Sequence, residues 1–230
     1  MIRIHDREIR GTTKTGWLDS KHTFSFGNFM DPTRMGFRSL RVINDDIVIP
    51  GAGFDTHPHS DMEIITYILK GELAHKDSLG TGSTIRPGEI QRMSAGTGIL
   101  HSEFNPSNDN GTHLLQIWIR PEKRGLEPSY EQKTITPKMG EFVVIGDRKG
   151  SDGAITIHQD VTLSMAQMED GQNTSYAFAK GRGGFLHVAR GWITLNGEAL
   201  KEGDGAEITD TDVIEITAKA DSEVLLFDLA

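Results

Sequence analysis

The sequence predicts an all-β protein built from two stacked antiparallel β-barrels. Three observations lead there: short apolar segments bounded by turn residues recur along the chain, few windows sustain a helical period, and the two halves share a weak internal repeat. In the first half, strands are expected over Leu40–Ile43, Ile47–Ile49, Glu63–Leu69, Ile90–Met93 and Leu114–Ile119. The second half predicts Phe142–Ile145, Ile155–Gln159, Thr162–Met168, Phe185–Val188, Trp192–Leu195, Val213–Ile216 and Val224–Phe227. Asn196-Gly197 marks a tight hairpin, because both residues tolerate positive φ. Gly71, Gly80, Gly82, Gly88, Gly191, Gly203 and Gly205 punctuate the strands at barrel-like intervals.

The repeat sets Tyr67-Ile-Leu-Lys-Gly71 beside His187-Val-Ala-Arg-Gly191, and Pro87-Gly88-Glu89 beside Glu202-Gly203-Asp204. Between the halves, Pro121–Pro128 is polar and rich in breakers, and the charge balance changes there. We therefore expect an N-terminal barrel over 1–130 and a C-terminal barrel over 131–230.

Composition narrows the function classes. The chain has 230 residues, 36% hydrophobic and 25% charged, which is ordinary for a soluble globular protein. No stretch is long and apolar enough to span a membrane, and the N-terminus lacks a signal-peptide core, so a cytoplasmic protein is expected. The absence of cysteine excludes thiolate ligands, iron–sulfur clusters and cysteine nucleophiles. Residues 131–230 carry 9 basic and 17 acidic side chains, against 15 and 16 in residues 1–130. So acidic a surface disfavours direct binding of nucleic acid.

The chemistry concentrates in two short stretches, Gly51–Glu63 and Gly98–Asn105. His57 and His59 stand two apart, so a strand turns both imidazoles to one face. His101 and Glu103 repeat that spacing. If the two strands meet inside a barrel, three imidazoles and a carboxylate converge. Such a nitrogen and oxygen set suits Fe(II), Mn, Ni, Co, Cu or Zn and leaves positions open. Glu63, four residues after His59, is the competing carboxylate: it is either the fourth ligand or a support that orients an imidazole from behind. The register of Glu103 to His101 favours Glu103. Phe24, Phe26, Phe37, Phe54, His113, Gln116 and Trp118 are candidates for a cavity wall, with His22 and His75 near its mouth.

These residues resemble a known family. Gly51-x5-His57-x-His59-x3-Glu63 with Gly71, and Gly98-x2-His101-x3-Asn105, are similar to the two cupin motifs. His22–Phe26, Asp31–Phe37, Leu40–Asp45, Asp61–Tyr67 and Met93–Glu103 resemble the pirin family more specifically, in its short bacterial branch of quercetin 2,3-dioxygenases. The resemblance implies a bicupin, a pair of double-stranded β-helices. It implies one metal, usually iron, held by His57, His59, His101 and Glu103 in the first barrel. It also implies opening of the flavonol ring with O₂ and release of carbon monoxide. Glu103, the one acidic residue of the proposed ligand set, is the candidate base, with Glu63 in reserve, and a monomer is expected because two barrels sharing an interface suffice. The alternative the resemblance carries is a metal- or redox-responsive regulator that binds a protein partner. Aligning Gly191 with Gly71 sets Ala177 and Ala179 at the positions of His57 and His59. Aligning Gly203 with Gly88 sets Ile216 and Ala218 at those of His101 and Glu103. The second barrel is thus expected to carry no metal.

Overall fold

A computed structural model describes all 230 residues. In chain order the strands begin β1 (Ile2–His5), β2 (Gly11–Lys14), β3 (Leu18–His22), β4 (Leu40–Val48), β5 (Gly53–His59) and β6 (Glu63–Lys70). The first half continues with β7 (Leu73–Asp77), β8 (Gly82–Ile85), β9 (Glu89–Ser94), β10 (Ile99–Phe104), β11 (Thr112–Ile119) and β12 (Ser129–Thr134). There follow β13 (Val143–Asp147), β14 (Ile155–Thr156), β15 (Val161–Met168), β16 (Asn173–Ala177) and β17 (Gly183–Arg190). The chain closes with β18 (Trp192–Leu195), β19 (Glu198–Lys201), β20 (Gly205–Ile208), β21 (Val213–Ala218) and β22 (Ser222–Leu229). Two single 3₁₀ turns are the only helices. No helix is long and apolar enough to cross a membrane.

Each barrel pairs a seven-stranded sheet with a four-stranded one. In the first, the order β12-β9-β6-β11-β4-β3-β2 faces β5-β10-β7-β8. In the second, β1-β20-β17-β22-β15-β13-β14 faces β16-β21-β18-β19. One strand crosses from the N-terminus to the other barrel. β1 leaves the N-terminal half to pair with β20, with Ile2 opposite Ile208 and His5 opposite Gly205. β12 straddles the boundary expected at residue 130 and belongs to the first barrel, paired with β9. Polar Ser129–Thr134 looks like linker in sequence, but its backbone completes a sheet edge.

The two large sheets pack back to back, and their contact is the largest apolar core of the molecule. Leu40, Ile43, Ile65, Leu115 and Ile117 meet Leu163, Phe185, Leu225 and Phe227 there. This explains the near-continuous apolar strands. In β6, Ile65, Tyr67 and Leu69 face the other barrel, so Ile64, Thr66 and Ile68 turn inward.

The interiors of the two barrels differ. A cluster of 15 buried side chains, among them Phe178, Leu186, Ile193, Ile214 and Ile216, fills the second. The alignment of Ala177 and Ala179 with the histidines is three residues out of register with the strand pairing, which sets Thr174 and Tyr176 at those places. Ala177 is exposed, and Thr174 and Tyr176 are the half-buried residues of β16, opposite Ile216 and Ile214. The first barrel has only two small apolar clusters, of 6 and 4 buried residues. Polar residues line the space between them.

Candidate metal centre

β5 turns His57 and His59 into the first barrel, as period two requires, and β10 runs antiparallel with His101 directly across from His57. The ring centroids lie 4.8 Å apart for His57–His59, 4.4 Å for His57–His101 and 5.0 Å for His59–His101. One nitrogen from each of the three falls within 4.8 Å of the others. An extra residue in β5 between Phe54 and His57 shifts the register there, so Glu103 stands across from Phe54. Such bulges commonly re-aim side chains beside functional sites.

Hydrogen bonding prepares the rings. Nδ1 of His57 lies 2.7 Å from the Asp55 carbonyl. A carbonyl only accepts, so Nδ1 carries the hydrogen and Nε2 is left with a free lone pair. His101 is buried, and neither of its nitrogens has a hydrogen-bond partner. Burial lowers the His59 imidazole to about 4, helped by His101 and His57. Burial likewise lowers His101 to about 3, with His57 and then His75 adding to the effect. Both rings are therefore neutral at pH 7 and present lone pairs. A buried imidazole with two orphaned nitrogens, beside two further imidazoles, is a costly arrangement that a bound divalent cation satisfies. The donor set fits the metal.

Glu103 stands next to this triad. Its carboxylate groups with His101 and His75, whose ligand atoms also lie within 4.8 Å of one another. Gln116 Nε2 donates to Glu103 Oε2 at 2.8 Å, and Thr66 Oγ1 lies 3.3 Å from Oε1. Both supports come from the opposite sheet, on β11 and β6, so the carboxylate is held across the barrel. His75 donates through Nε2 to Asp77 at 3.1 Å and leaves Nδ1 bare.

Glu63 lies elsewhere. The period-two count from His59 fails because Ser60–Met62 is not strand and Asp61 takes a positive φ of 50°. β6 belongs to the large sheet, and Glu63 there accepts two hydrogen bonds from His158, its backbone N–H and its Nδ1, each at 3.1 Å. The carboxyl expected as a rival ligand or a support behind an imidazole instead ties the first barrel to the second.

A cavity of about 490 Å³ opens onto the histidines. Of the expected wall residues, Phe26, Phe54, Gln116 and Trp118 line it. Phe24 and Phe37 face the core between the barrels, and His113 bonds Asp45 on the outer side of β4. Trp17 meets Phe54 edge to face at 4.9 Å, and Phe26 meets Trp118 at 5.4 Å. His22 does line the cavity, while His75 sits behind His101. Sequence reasoning missed Ser20, Asn44 and Asp46 on the far wall. The available signal was the polar run Asn44-Asp45-Asp46 inside an otherwise apolar strand.

Two sandwiched barrels, one packed solid and one opened around strand-borne histidines, define a bicupin whose histidine cluster lies in the N-terminal half. The chain belongs to the pirin family, whose model matches residues 4–119. A second family model, the quercetinase C-terminal cupin domain, matches residues 144–229. The chain is 46% identical to a quercetin 2,3-dioxygenase of Escherichia coli K12, covering 100% of this chain and 99% of that one. It is 42% identical to a pirin-like protein of Caulobacter vibrioides, covering 96% of each. Among solved structures, E. coli YhhW superposes with a TM-score of 0.97 at 45% identity, covering 100% of this chain and 98% of YhhW. A complex of the bacterial pirin YhhW with nickel(II) gives 0.96 at 45% identity, covering 100% and 99%.

Proposed function

We propose that the protein is a metal-dependent quercetin 2,3-dioxygenase that opens the oxygen-bearing ring of flavonols. The convergence of three imidazoles on an aromatic-flanked cavity carries this reading. The names of its full-length relatives and the nickel complex of one of them support it. In this reading His57, His59 and His101 hold one divalent ion, taken as Fe(II), with Glu103 as fourth ligand and proton acceptor.

Held by these residues, the metal would supply Lewis acidity that lowers the pKa of the flavonol enol. The reaction adds both atoms of O₂ to the substrate and releases carbon monoxide. The chain supplies the rest. Two edge-to-face pairs in the cavity lining, Trp17–Phe54 and Phe26–Trp118, offer apolar walls that orient an aromatic ligand and exclude water. Glu103 takes the enol proton on a carboxylate oxygen, and the Gln116 amide and Thr66 hydroxyl hold that carboxylate in place. One chain contains every residue of this site, so the reading requires no second subunit.

The test is aerobic incubation of the Fe(II)-reconstituted protein with quercetin, followed by loss of the flavonol absorbance band and by carbon monoxide release. Turnover with stoichiometric carbon monoxide is expected. Retained metal without turnover, under a series of divalent ions, would contradict the reading and favour a partner-binding role.

A further inference from the structure

Opposite the histidines, on the large sheet of the first barrel, β3 and β4 carry a polar row. Ser20 pairs with Asp46, and His22 with Asn44. Most of the row is internally satisfied. His22 donates through Nδ1 to Asn44 Oδ1 at 2.8 Å and accepts at Nε2 from the Thr13 hydroxyl at 2.8 Å. Asp46 is different: it is only 3% exposed, it lines the cavity, and its Oδ1 has no hydrogen-bond partner. A buried carboxyl oxygen without a donor is costly. The neighbouring barrel shows that the fold packs well with apolar residues at such places, since its interior is filled by leucine, isoleucine and valine.

We propose that Asp46 is a ligand-anchoring residue, which takes a hydrogen bond from a phenolic hydroxyl on the part of the aromatic substrate remote from the histidines. This rests on the flavonol reading above and deepens it. The cavity then reads as a two-walled clamp. One wall meets the edge of the ligand that reacts, the other meets a hydroxyl that does not, and the aromatic pairs cover the faces between. Burial raises Asp46 to about 7; the Ser20 hydroxyl opposes this, and the negative charges of Asp45 and Glu103 reinforce it. In either protonation state the group keeps an oxygen that accepts from a phenol. Substrates are thereby selected by hydroxylation pattern, because a buried polar group left unpaired discriminates strongly against a ligand lacking its partner.

The experiment uses nickel(II)-loaded full-length protein and three flavonols: quercetin, its analogue without hydroxyls on the pendant ring, and its analogue without hydroxyls on the fused ring. Dissociation constants are read from quenching of tryptophan fluorescence. In the wild type, one of the two deletions is expected to weaken binding about tenfold, and Asp46→Leu is expected to erase that difference while leaving metal content unchanged. Asp46→Asn keeps an acceptor and is expected to retain part of it, about threefold; this variant carries the test should Asp46→Leu not fold. If all three flavonols bind the wild type equally, or if the preference survives in both variants, Asp46 is no anchor and the flavonol reading stands. If the wild type binds none of the three, both proposals fall together.

Discussion

At the scale of single residues, burial keeps His59 and His101 neutral at pH 7. His59 and His101 fall from the ordinary imidazole range to about 4 and about 3 on folding, chiefly through burial. Below pH 6.5 the unfolded chain therefore binds more protons than the folded one, and stability is lost progressively down to about pH 3. Chelator-treated wild type should show a melting temperature that drops between pH 7 and pH 4, and His101→Gln should flatten that slope. Asp46 has the opposite sign. Its carboxyl rises to about 7, so folding takes up a proton and stability falls as pH climbs from about 4 to 7. Asp46→Asn should thus gain stability over wild type at pH 8 relative to pH 4, read by the same melts. For Glu103 the expectation is functional. Glu103→Gln should retain metal and lose flavonol turnover by about a hundredfold or more, the usual range for a general base; unchanged turnover would remove Glu103 from that role.

At the scale of elements, the site depends on how closely β5 and β10 approach. A Cβ on Gly53 would stand 2.1 Å from the Glu103 carbonyl oxygen and 2.7 Å from the Phe104 Cα. Gly53→Ala should push the strands apart, costing about 1–3 kcal/mol in stability and weakening metal binding, which denaturation and metal titration would each detect. The same two strands show what the sequence made legible. His-x-His and His-x-Glu carry strand periodicity in their spacing, so the three imidazoles are legible in the sequence. What failed was counting across a break. Extending the period from His59 points Glu63 inward, but at Ser60–Met62 the backbone turns and the chain changes sheet. β4 failed for the opposite reason. Asn44-Asp45-Asp46 looked like a gap between Leu40–Ile43 and Ile47–Ile49, yet one strand runs from Leu40 to Val48. Its polar centre exists because Asn44 and Asp46 face a cavity while Asp45 binds Arg10 and His113 on the other side. Polar strands such as β2, β8, β12 and β19 carried no apolar alternation to find.

At the scale of the whole molecule, the largest core lies between the barrels and not inside either, and β1 crosses from the N-terminus to join the second barrel. Phe227, fully buried in that core, should cost about 3–5 kcal/mol on substitution by alanine. Calorimetry should show one cooperative transition for both halves, in the wild type and at lower temperature in Phe227→Ala. Two resolved transitions would mean that the barrels fold separately. The division of labour between them is physical: the second barrel is packed solid and braces the first, whose interior is left open around the histidines. The measurement that tests this most directly is the metal content of the purified protein, by mass spectrometry of the elements, in wild type and in His101→Gln. The account predicts about one divalent transition metal ion per wild-type chain and less than about a tenth of that in the variant. Equal metal content in the two proteins would contradict it.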